Sequence, residues 1–148
     1  MASQAALGLR PALSIYGTDY ATPDGTCLRD YIQVTDLADA HLAALRHLRA
    51  KGGRHTFNCG YGRGASVREV VETVKRISGI DFPVAEAPRR AGDPAALVAD
   101  ATRIRVTLAW EPRFADLDTI VAQALAWERR LGNSACAGTQ ASGGGPLS

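Results

Sequence analysis

The chain has 148 residues, of which 46% are hydrophobic and 22% are charged. This balance is typical of one globular domain and excludes a wholly disordered chain. Its 17 basic and 15 acidic residues give a net charge of +2 and are interspersed, which argues against a nucleic-acid-binding surface. The three cysteines lie far apart without metal-ligand spacing, so we expect no metal site. No apolar run near the N-terminus is long enough to cross a bilayer, and we expect a cytoplasmic protein without a membrane association.

The first third of the sequence predicts two strands and a helix. Residues 13–16 and 27–34 have strand character and flank GTDYATPDG, a stretch crowded with turn residues. Thr35 and Asp36 are predicted to cap a helix that stops at Gly52. The buried face of this helix is predicted to contain Leu37, His41, Ala44, Leu45 and Leu48.

The middle of the chain predicts a further strand, a helix and a short strand. Residues 55–60, HTFNCG, read as a strand. Ser66 and Glu69 have the spacing of a capping box, which predicts a helix that begins there and ends at Gly79. Residues 83–88, PVAEAP, predict a brief strand. Strands that alternate with helices in this way indicate an α/β fold.

Two more helices are predicted before a tail. Asp100 and Asp116 are each expected to open a helix, and the second helix is expected to end at Gly132. Residues 133–148 are rich in Gly, Ser and Ala without periodicity, which predicts disorder. Two aromatic side chains are expected to anchor the core where the last helices meet: Trp110 and Trp127.

Three glycines lie in FNCGYGRGAS, between a predicted strand and a predicted helix, where dinucleotide-binding folds hold a pyrophosphate. The spacing of Gly60, Gly62 and Gly64 departs from G-x-G-x-x-G. The acids that follow, Asp81 and Glu86, are poorly placed to bind a ribose. A tight turn that leads into a serine-capped helix explains the stretch equally well.

Two arginines are candidates for an anion site. Arg29 lies in CLRDYIQV, and Arg90 lies in the loop PRRAGDPA three residues before Asp93. Gly92 and Pro94 give this loop a shape that can present a cation and an acceptor together. Guanidinium groups match phosphate oxygens, and a carboxylate can accept from sugar hydroxyls. A phosphate beside a diol suggests a nucleotide.

The alternative is that these arginines have structural partners. Arg29 could pair with a neighbouring carboxylate such as Asp30 or Asp36. Arg89 and Arg90 could project into water, since surface ion pairs are common and contribute roughly 0–1 kcal/mol.

Three long strings resemble the C-terminal part of the bacterial UDP-glucose 4-epimerase family. They are LSIYGTDYATPDGTCLRDYIQVTDLADAHLAAL, FNCGYGRGASVREVVETV and APRRAGDPAALVADATRIRVTLAW. The resemblance extends over about residues 4–130, and it implies that residues 4–132 form the substrate-binding C-terminal lobe of an extended short-chain dehydrogenase/reductase. The family interconverts UDP-galactose and UDP-glucose in galactose metabolism, with NAD bound in an N-terminal Rossmann lobe.

The resemblance also implies a set of substrate-binding residues. By this resemblance, Arg29 and Arg90 bind the diphosphate of UDP, and Asp93 contacts the ribose. The backbone of the strand at Ser14, Ile15 and Tyr16 recognises the uracil. Leu97 corresponds to the position that adjusts the room around the sugar.

The catalytic residues of the family have no counterpart in this sequence. The family uses a Tyr-x-x-x-Lys pair, whereas the only lysines here, Lys51 and Lys75, follow His47 and Val71 at that spacing. The nucleotide-binding glycine loop is also missing. We therefore assign no catalytic residue, expect no NAD site within these residues, and expect the chain to be inactive alone.

Other functions remain open at this point. The chain could be a stand-alone module that binds UDP-sugars without turnover, or part of another nucleotide-sugar epimerase or dehydratase. The resemblance implies a homodimeric family, but its main interface lies in the Rossmann lobe, so that lobe is the expected partner.

Overall fold

The computed structural model describes residues 1–139, with side chains described as far as Gly132. Within this part of the chain, short strands and helices follow one another, which confirms the predicted α/β class. The elements in chain order are α1 (Ala2–Ala6), β1 (Leu13–Tyr16), β2 (Leu28–Arg29), α2 (Val34–Lys51), β3 (Ala65–Ser66), α3 (Val67–Ser78), β4 (Val84–Ala87), β5 (Ala96–Leu97), α4 (Thr102–Leu108) and α5 (Leu117–Thr139).

The strands form two small sheets. β1 pairs in parallel with β4, which sets Tyr16 beside Ala87. β2 lies between β3 and β5, antiparallel to β3 and parallel to β5, with Arg29 beside Leu97. Residues 88–95 connect β4 to β5 and so pass from one sheet to the other. This loop therefore lies next to the ends of both β1 and β2.

Two of the four predicted strands are confirmed, one is confirmed only in part, and one is not formed. β1 and β4 lie within the strands predicted at residues 13–16 and 83–88. The strand predicted at residues 27–34 is limited to two residues, and residues 55–60 form no strand. A strand needs a neighbouring strand to bond its backbone groups. Because β3 and β5 already occupy both edges of β2, residues 55–60 cannot pair with it.

The helix with the predicted capping box is confirmed. Ser66 Oγ accepts from the Glu69 backbone N–H at 3.0 Å, and the Glu69 carboxylate accepts from the Ser66 N–H at 3.1 Å. Gly79 ends α3 at a φ of 72°, a conformation that glycine adopts without strain. α3 packs against α1 and α5 in the main core, whose buried residues are Ala5, Ala6, Ile15, Val71, Val74, Phe82, Val121 and Leu125.

α2 begins earlier than the sequence indicated. The Gln33 side chain accepts from the Thr35 and Asp36 backbone N–H groups, so Gln33 is the N-cap and the helix begins at Val34. The prediction that Thr35 and Asp36 cap the helix is wrong. A glutamine side chain is long enough to fold back onto these amides, although it is not among the preferred capping residues.

The face of α2 that was predicted to be buried is largely exposed. His41 is exposed, and Leu45 and Leu48 are 50% and 52% exposed. The buried residues of α2 are Asp36 and Ala40. Among the described helices and strands, α2 packs closely only against α4, and its buried side also meets Phe57 and Cys59 and the segment after α4, so the other side of the helix has no cover.

α5 opens at Asp116 as predicted, whereas the prediction that Asp100 caps α4 is wrong, because the N-cap of α4 is Ala101. Asp100 Oδ1 accepts from the Thr102 N–H at 3.0 Å, and Asp116 Oδ2 accepts from the Thr119 N–H at 2.9 Å. α5 continues past Gly132 to Thr139, so the predicted end at Gly132 is wrong. A glycine inside a helix costs only about 1 kcal/mol relative to alanine, which is not enough to stop it. Residues 140–148 of the predicted tail lie outside the described residues.

The two tryptophans have different environments. Trp110 is 3% exposed and its Nε1–H donates to the Asp36 carbonyl oxygen at 3.1 Å, which confirms it as a core residue. Trp127 is 59% exposed, so its predicted place in the core is wrong. The buried face of α5 passes through Val121 and Leu125, and a residue two positions further along a helix points to the opposite side.

Candidate functional site

A cavity of about 790 Å³ opens between the two sheets and the helices α1, α3 and α5. Its floor is apolar and is formed mainly by valines of α3 and by Ile120 and Val121 of α5. Its rim is polar. Five of the predicted site residues line it: Ser14, Tyr16, Arg29, Arg90 and Asp93. This volume and this combination of an apolar floor with a few polar groups are typical of small-molecule sites.

Arg29 and Asp93 face each other at the rim. Arg29 Nη2 lies 3.6 Å from Asp93 Oδ1. Arg29 Nη1 donates to the carbonyl oxygens of Leu28 at 2.7 Å and Pro94 at 3.0 Å. The Arg29 side chain, 22% exposed, is therefore fixed in the cavity wall with donors still facing the cavity.

The alternative partners for Arg29, Asp30 and Asp36, are engaged elsewhere. The Asp30 carboxylate accepts from the backbone N–H groups of Tyr61 and Gly62, each at 3.0 Å, and from Ala99 at 3.3 Å. Because strand side chains alternate, Asp30 points to the opposite face from Arg29.

This arrangement explains the glycine-rich stretch. The turn at residues 60–62 wraps around the Asp30 carboxylate, and a Cβ at Gly60 would lie 2.5 Å from Asp30 Oδ2. The amides of Tyr61 and Gly62 that could have bound a pyrophosphate donate to this carboxylate instead. These amides are therefore not free to bind the phosphates of NAD, which favours the tight-turn interpretation.

Asp36 joins α2 to the segment after α4. Its carboxylate accepts from the N–H groups of Arg113 and Phe114, each at 2.9 Å, and from the Tyr61 hydroxyl at 2.7 Å. Burial alone would raise the pKa of Asp36, but these donors, led by the Arg113 amide, lower it. Burial and the Asp36 carboxylate together raise the pKa of Tyr61 to about 12. Asp36 is therefore a structural anchor.

The two adjacent arginines of the 88–95 loop point in different directions. Arg89 Nε donates to Asp19 Oδ1 at 2.6 Å, and its guanidinium lies over the Tyr20 ring, 4.2 Å from the centroid. Arg90 lines the cavity and lies over the Tyr16 ring, 3.7 Å from the centroid. Among the described residues, no carboxylate forms an ion pair with Arg90. Arg90 is thus a cation available to a ligand, and so is Arg10, which also lines the cavity and forms no ion pair among the described residues.

Two predicted site residues do not line the cavity. Ile15 is 2% exposed and its side chain belongs to the main core, because it points to the opposite face of β1 from Ser14 and Tyr16. Leu97 is 62% exposed and lies beside Arg29 on β5, outside the cavity wall.

Sequence reasoning missed Cys27 and Tyr31, which also line the cavity. Cys27, Arg29 and Tyr31 are alternate residues, and the same period of two that defines a strand face could have identified them. Burial is the main cause that raises the pKa of the Tyr31 phenol. Tyr31 therefore presents a neutral ring to the cavity.

Comparisons with known proteins identify relatives of this chain. The model of the NAD dependent epimerase/dehydratase family matches residues 1–60. A UDP-glucose 4-epimerase of Azospirillum brasilense is 61% identical over 134 residues, which are 90% of this chain and 38% of that relative. This chain is homologous to part of the UDP-glucose 4-epimerases. It spans about 38% of the length of the curated relatives it matches most strongly.

Solved epimerase structures share the fold. The UDP-Glc/GlcNAc 4-epimerase of Campylobacter jejuni is 50% identical with a TM-score of 0.79, over 87% of this chain and 39% of that one. The UDP-glucose 4-epimerase of Bifidobacterium longum, in complex with NAD+ and UDP, is 39% identical with a TM-score of 0.83, over 89% of this chain and 39% of that one. The described fold is therefore that of one portion of a larger epimerase.

Proposed function

We propose that this chain forms the UDP-sugar-binding part of a UDP-glucose 4-epimerase, which interconverts UDP-galactose and UDP-glucose. The observation that carries the proposal is the cavity that places Arg90, which has no carboxylate partner in the described part of the chain, near the Arg29–Asp93 pair. Guanidinium groups match the oxygens of a diphosphate, and these two supply positive charge from β2 and from the 88–95 loop.

The ribose and the diphosphate share one polar rim in this proposal. In the free protein, Arg29 and Asp93 partly satisfy each other at 3.6 Å, which is longer than a hydrogen bond. A bound diphosphate takes the free donors of Arg29, and the Asp93 carboxylate accepts from a ribose hydroxyl. Neither charge then has to be buried without a partner.

The uracil is proposed to bind along β1. Among the described strands, β1 pairs only with β4, and the N–H groups of Leu13 and Gly17 donate toward that strand. Because backbone groups alternate along a strand, those of Ser14 and Tyr16 point to the other edge. Their N–H and C=O groups are therefore available to a base, whereas those of Ile15 belong to the β1–β4 ladder.

The hydride-transfer chemistry is proposed to come from residues outside these 148. The sequence has no Tyr-x-x-x-Lys pair, and binding groups alone do not lower the barrier of the chemical step. NAD would supply the hydride acceptor in the complete enzyme. In this chain we place substrate binding only.

Calorimetry and an activity assay test the proposal. We expect the chain to bind UDP more tightly than uridine, because the diphosphate meets Arg29 and Arg90, and to show no epimerisation with NAD alone. Equal affinity for UDP and uridine would refute the diphosphate site. Epimerisation by the chain alone would refute the assignment of the chemistry to other residues.

The absence of the catalytic pair also fits a second function, a stand-alone module that binds UDP-sugars without turnover. Supplying the complementary NAD-binding portion of a homologous epimerase, in trans or as a fusion, separates the two. Restored epimerisation supports the epimerase portion. UDP binding without any rescue, in a fusion that is folded and holds NAD, supports the binding module.

A further inference from the structure

The side chain of Tyr16 forms a platform for Arg90. The Arg90 guanidinium lies 3.7 Å from the centroid of the Tyr16 ring, at the point where β1 ends and the 88–95 loop passes over it. We infer that Tyr16 is a positioning residue whose ring holds Arg90 in the orientation that binds the anionic ligand. The part of this inference that concerns the ligand rests on the proposed function.

Arg90 needs such support because it is exposed and lies in a loop of exposed residues that contains Gly92 at a φ of 83°. A free arginine side chain loses rotamer entropy when it is fixed. A carboxylate partner would fix it but would compete with the ligand. An aromatic face fixes the guanidinium plane while its N–H groups, which point outward in that plane, stay available.

Arg89 provides the contrast within the same loop. It also lies over a tyrosine ring, that of Tyr20, but two of its nitrogens donate to the side chain and the backbone of Asp19. Those donors are not available to a ligand. Arg89 therefore connects the loop to residues 19–20, and only Arg90 combines ring support with free donors.

The electrostatics of Tyr16 agree with this contact. The Arg90 guanidinium beside the ring holds the pKa of the Tyr16 phenol below its ordinary value. Tyr16 is 37% exposed at the end of a strand, so replacing its side chain removes the platform without opening the core.

The first test uses the full chain without ligand. In spectra of the arginine Nε–Hε groups, the Arg90 signal should be displaced by the ring current of Tyr16. This displacement should be lost in Tyr16→Leu and kept in Tyr16→Phe. The variant Arg89→Ala identifies the signal of Arg89, so that it is not mistaken for that of Arg90. An Arg90 signal that is the same in wild type and Tyr16→Leu would overturn the inference whether or not UDP binds.

The second test is a double-mutant cycle read by UDP calorimetry. Tyr16→Leu should weaken UDP binding about threefold to tenfold, the range of a partly exposed cation–π contact, and Tyr16→Phe should recover most of the affinity. In an Arg90→Ala background, Tyr16→Leu should change the affinity by less than about twofold.

Two outcomes of this cycle are decisive. An equal loss from Tyr16→Leu with and without Arg90 would show that the ring acts independently and would overturn the inference. If wild type does not bind UDP, the proposed function fails, while the ring-current test still decides whether Tyr16 positions Arg90.

Discussion

Asp93 Oδ1 lies 3.6 Å from Arg29 Nη2, so an acid of the 88–95 loop faces the arginine that ends β2. If Asp93 accepts from the ribose, Asp93→Ala should weaken UDP binding and should also reduce the preference for UDP over its 2′,3′-dideoxy analogue. The loss of a charged hydrogen bond is about 1.5–3 kcal/mol. Calorimetry with both ligands measures it. An unchanged preference would mean that Asp93 acts only through Arg29.

The divergence of the two loop arginines predicts unequal effects on binding. Arg90→Ala should weaken UDP binding by about 1.5–3 kcal/mol, because it removes a charged donor from the cavity. Arg89→Ala should affect UDP binding much less, since its donors are used by Asp19. The two substitutions remove the same charge, so each serves as the control for the other. Equal losses would refute the assignment of Arg90.

The buried Asp36 predicts a loss of stability at low pH. Its pKa is lowered below the ordinary value of 3.8, so its contribution to stability is fully present above that value and disappears as the pH falls through the lowered pKa. Asp36→Asn should lower the free energy of unfolding by about 3 kcal/mol near neutral pH and flatten its dependence on acidic pH.

Asp39→Asn is the matched control for Asp36, because Asp39 forms a surface ion pair with Arg113 at 2.6 Å. Such pairs contribute roughly 0–1 kcal/mol. Thermal melts between neutral pH and pH 3 compare the variants. An Asp36→Asn effect no larger than that of Asp39→Asn would contradict the anchoring role of Asp36.

The uncovered side of α2 predicts self-association of the isolated chain. Its exposed apolar residues recur at helical spacing and form one stripe: Val34, Leu42, Leu45 and Leu48. Contiguous apolar surface of this kind marks a site for a partner or an aggregation liability. We expect the chain to bind a hydrophobic dye and to elute from a sizing column larger than a compact monomer.

The double substitution Leu42→Glu and Leu45→Glu should reduce the dye signal and shift the elution toward the monomer. Val106→Glu, at an 80% exposed position on α4, is the control and should leave both unchanged. A wild-type chain that elutes as a monomer without binding the dye would contradict this prediction. No helix among residues 1–139 is long and apolar enough to cross a membrane.

Features that depend on near neighbours in the sequence could be predicted. The capping box of Ser66 and Glu69 lies within one helical turn, and each side chain satisfies the other's backbone amide whatever the rest of the chain does. Some residues of the candidate site could be predicted, because the sequence motifs around Arg29 and Arg90 resemble a family that binds nucleotide sugars. Local hydrogen bonding and similarity of motifs need no knowledge of packing.

Only the tertiary structure decided which partners those residues have. Asp93, and not Asp30, faces Arg29, because strand alternation turns Asp30 toward the glycine turn while β5 brings the loop alongside β2. Which of Arg89 and Arg90 lines the cavity depends on Tyr16 and Tyr20, far away in sequence. Burial on α2 likewise depends on which elements pack there, and a helical pattern marks an apolar face without showing what covers it.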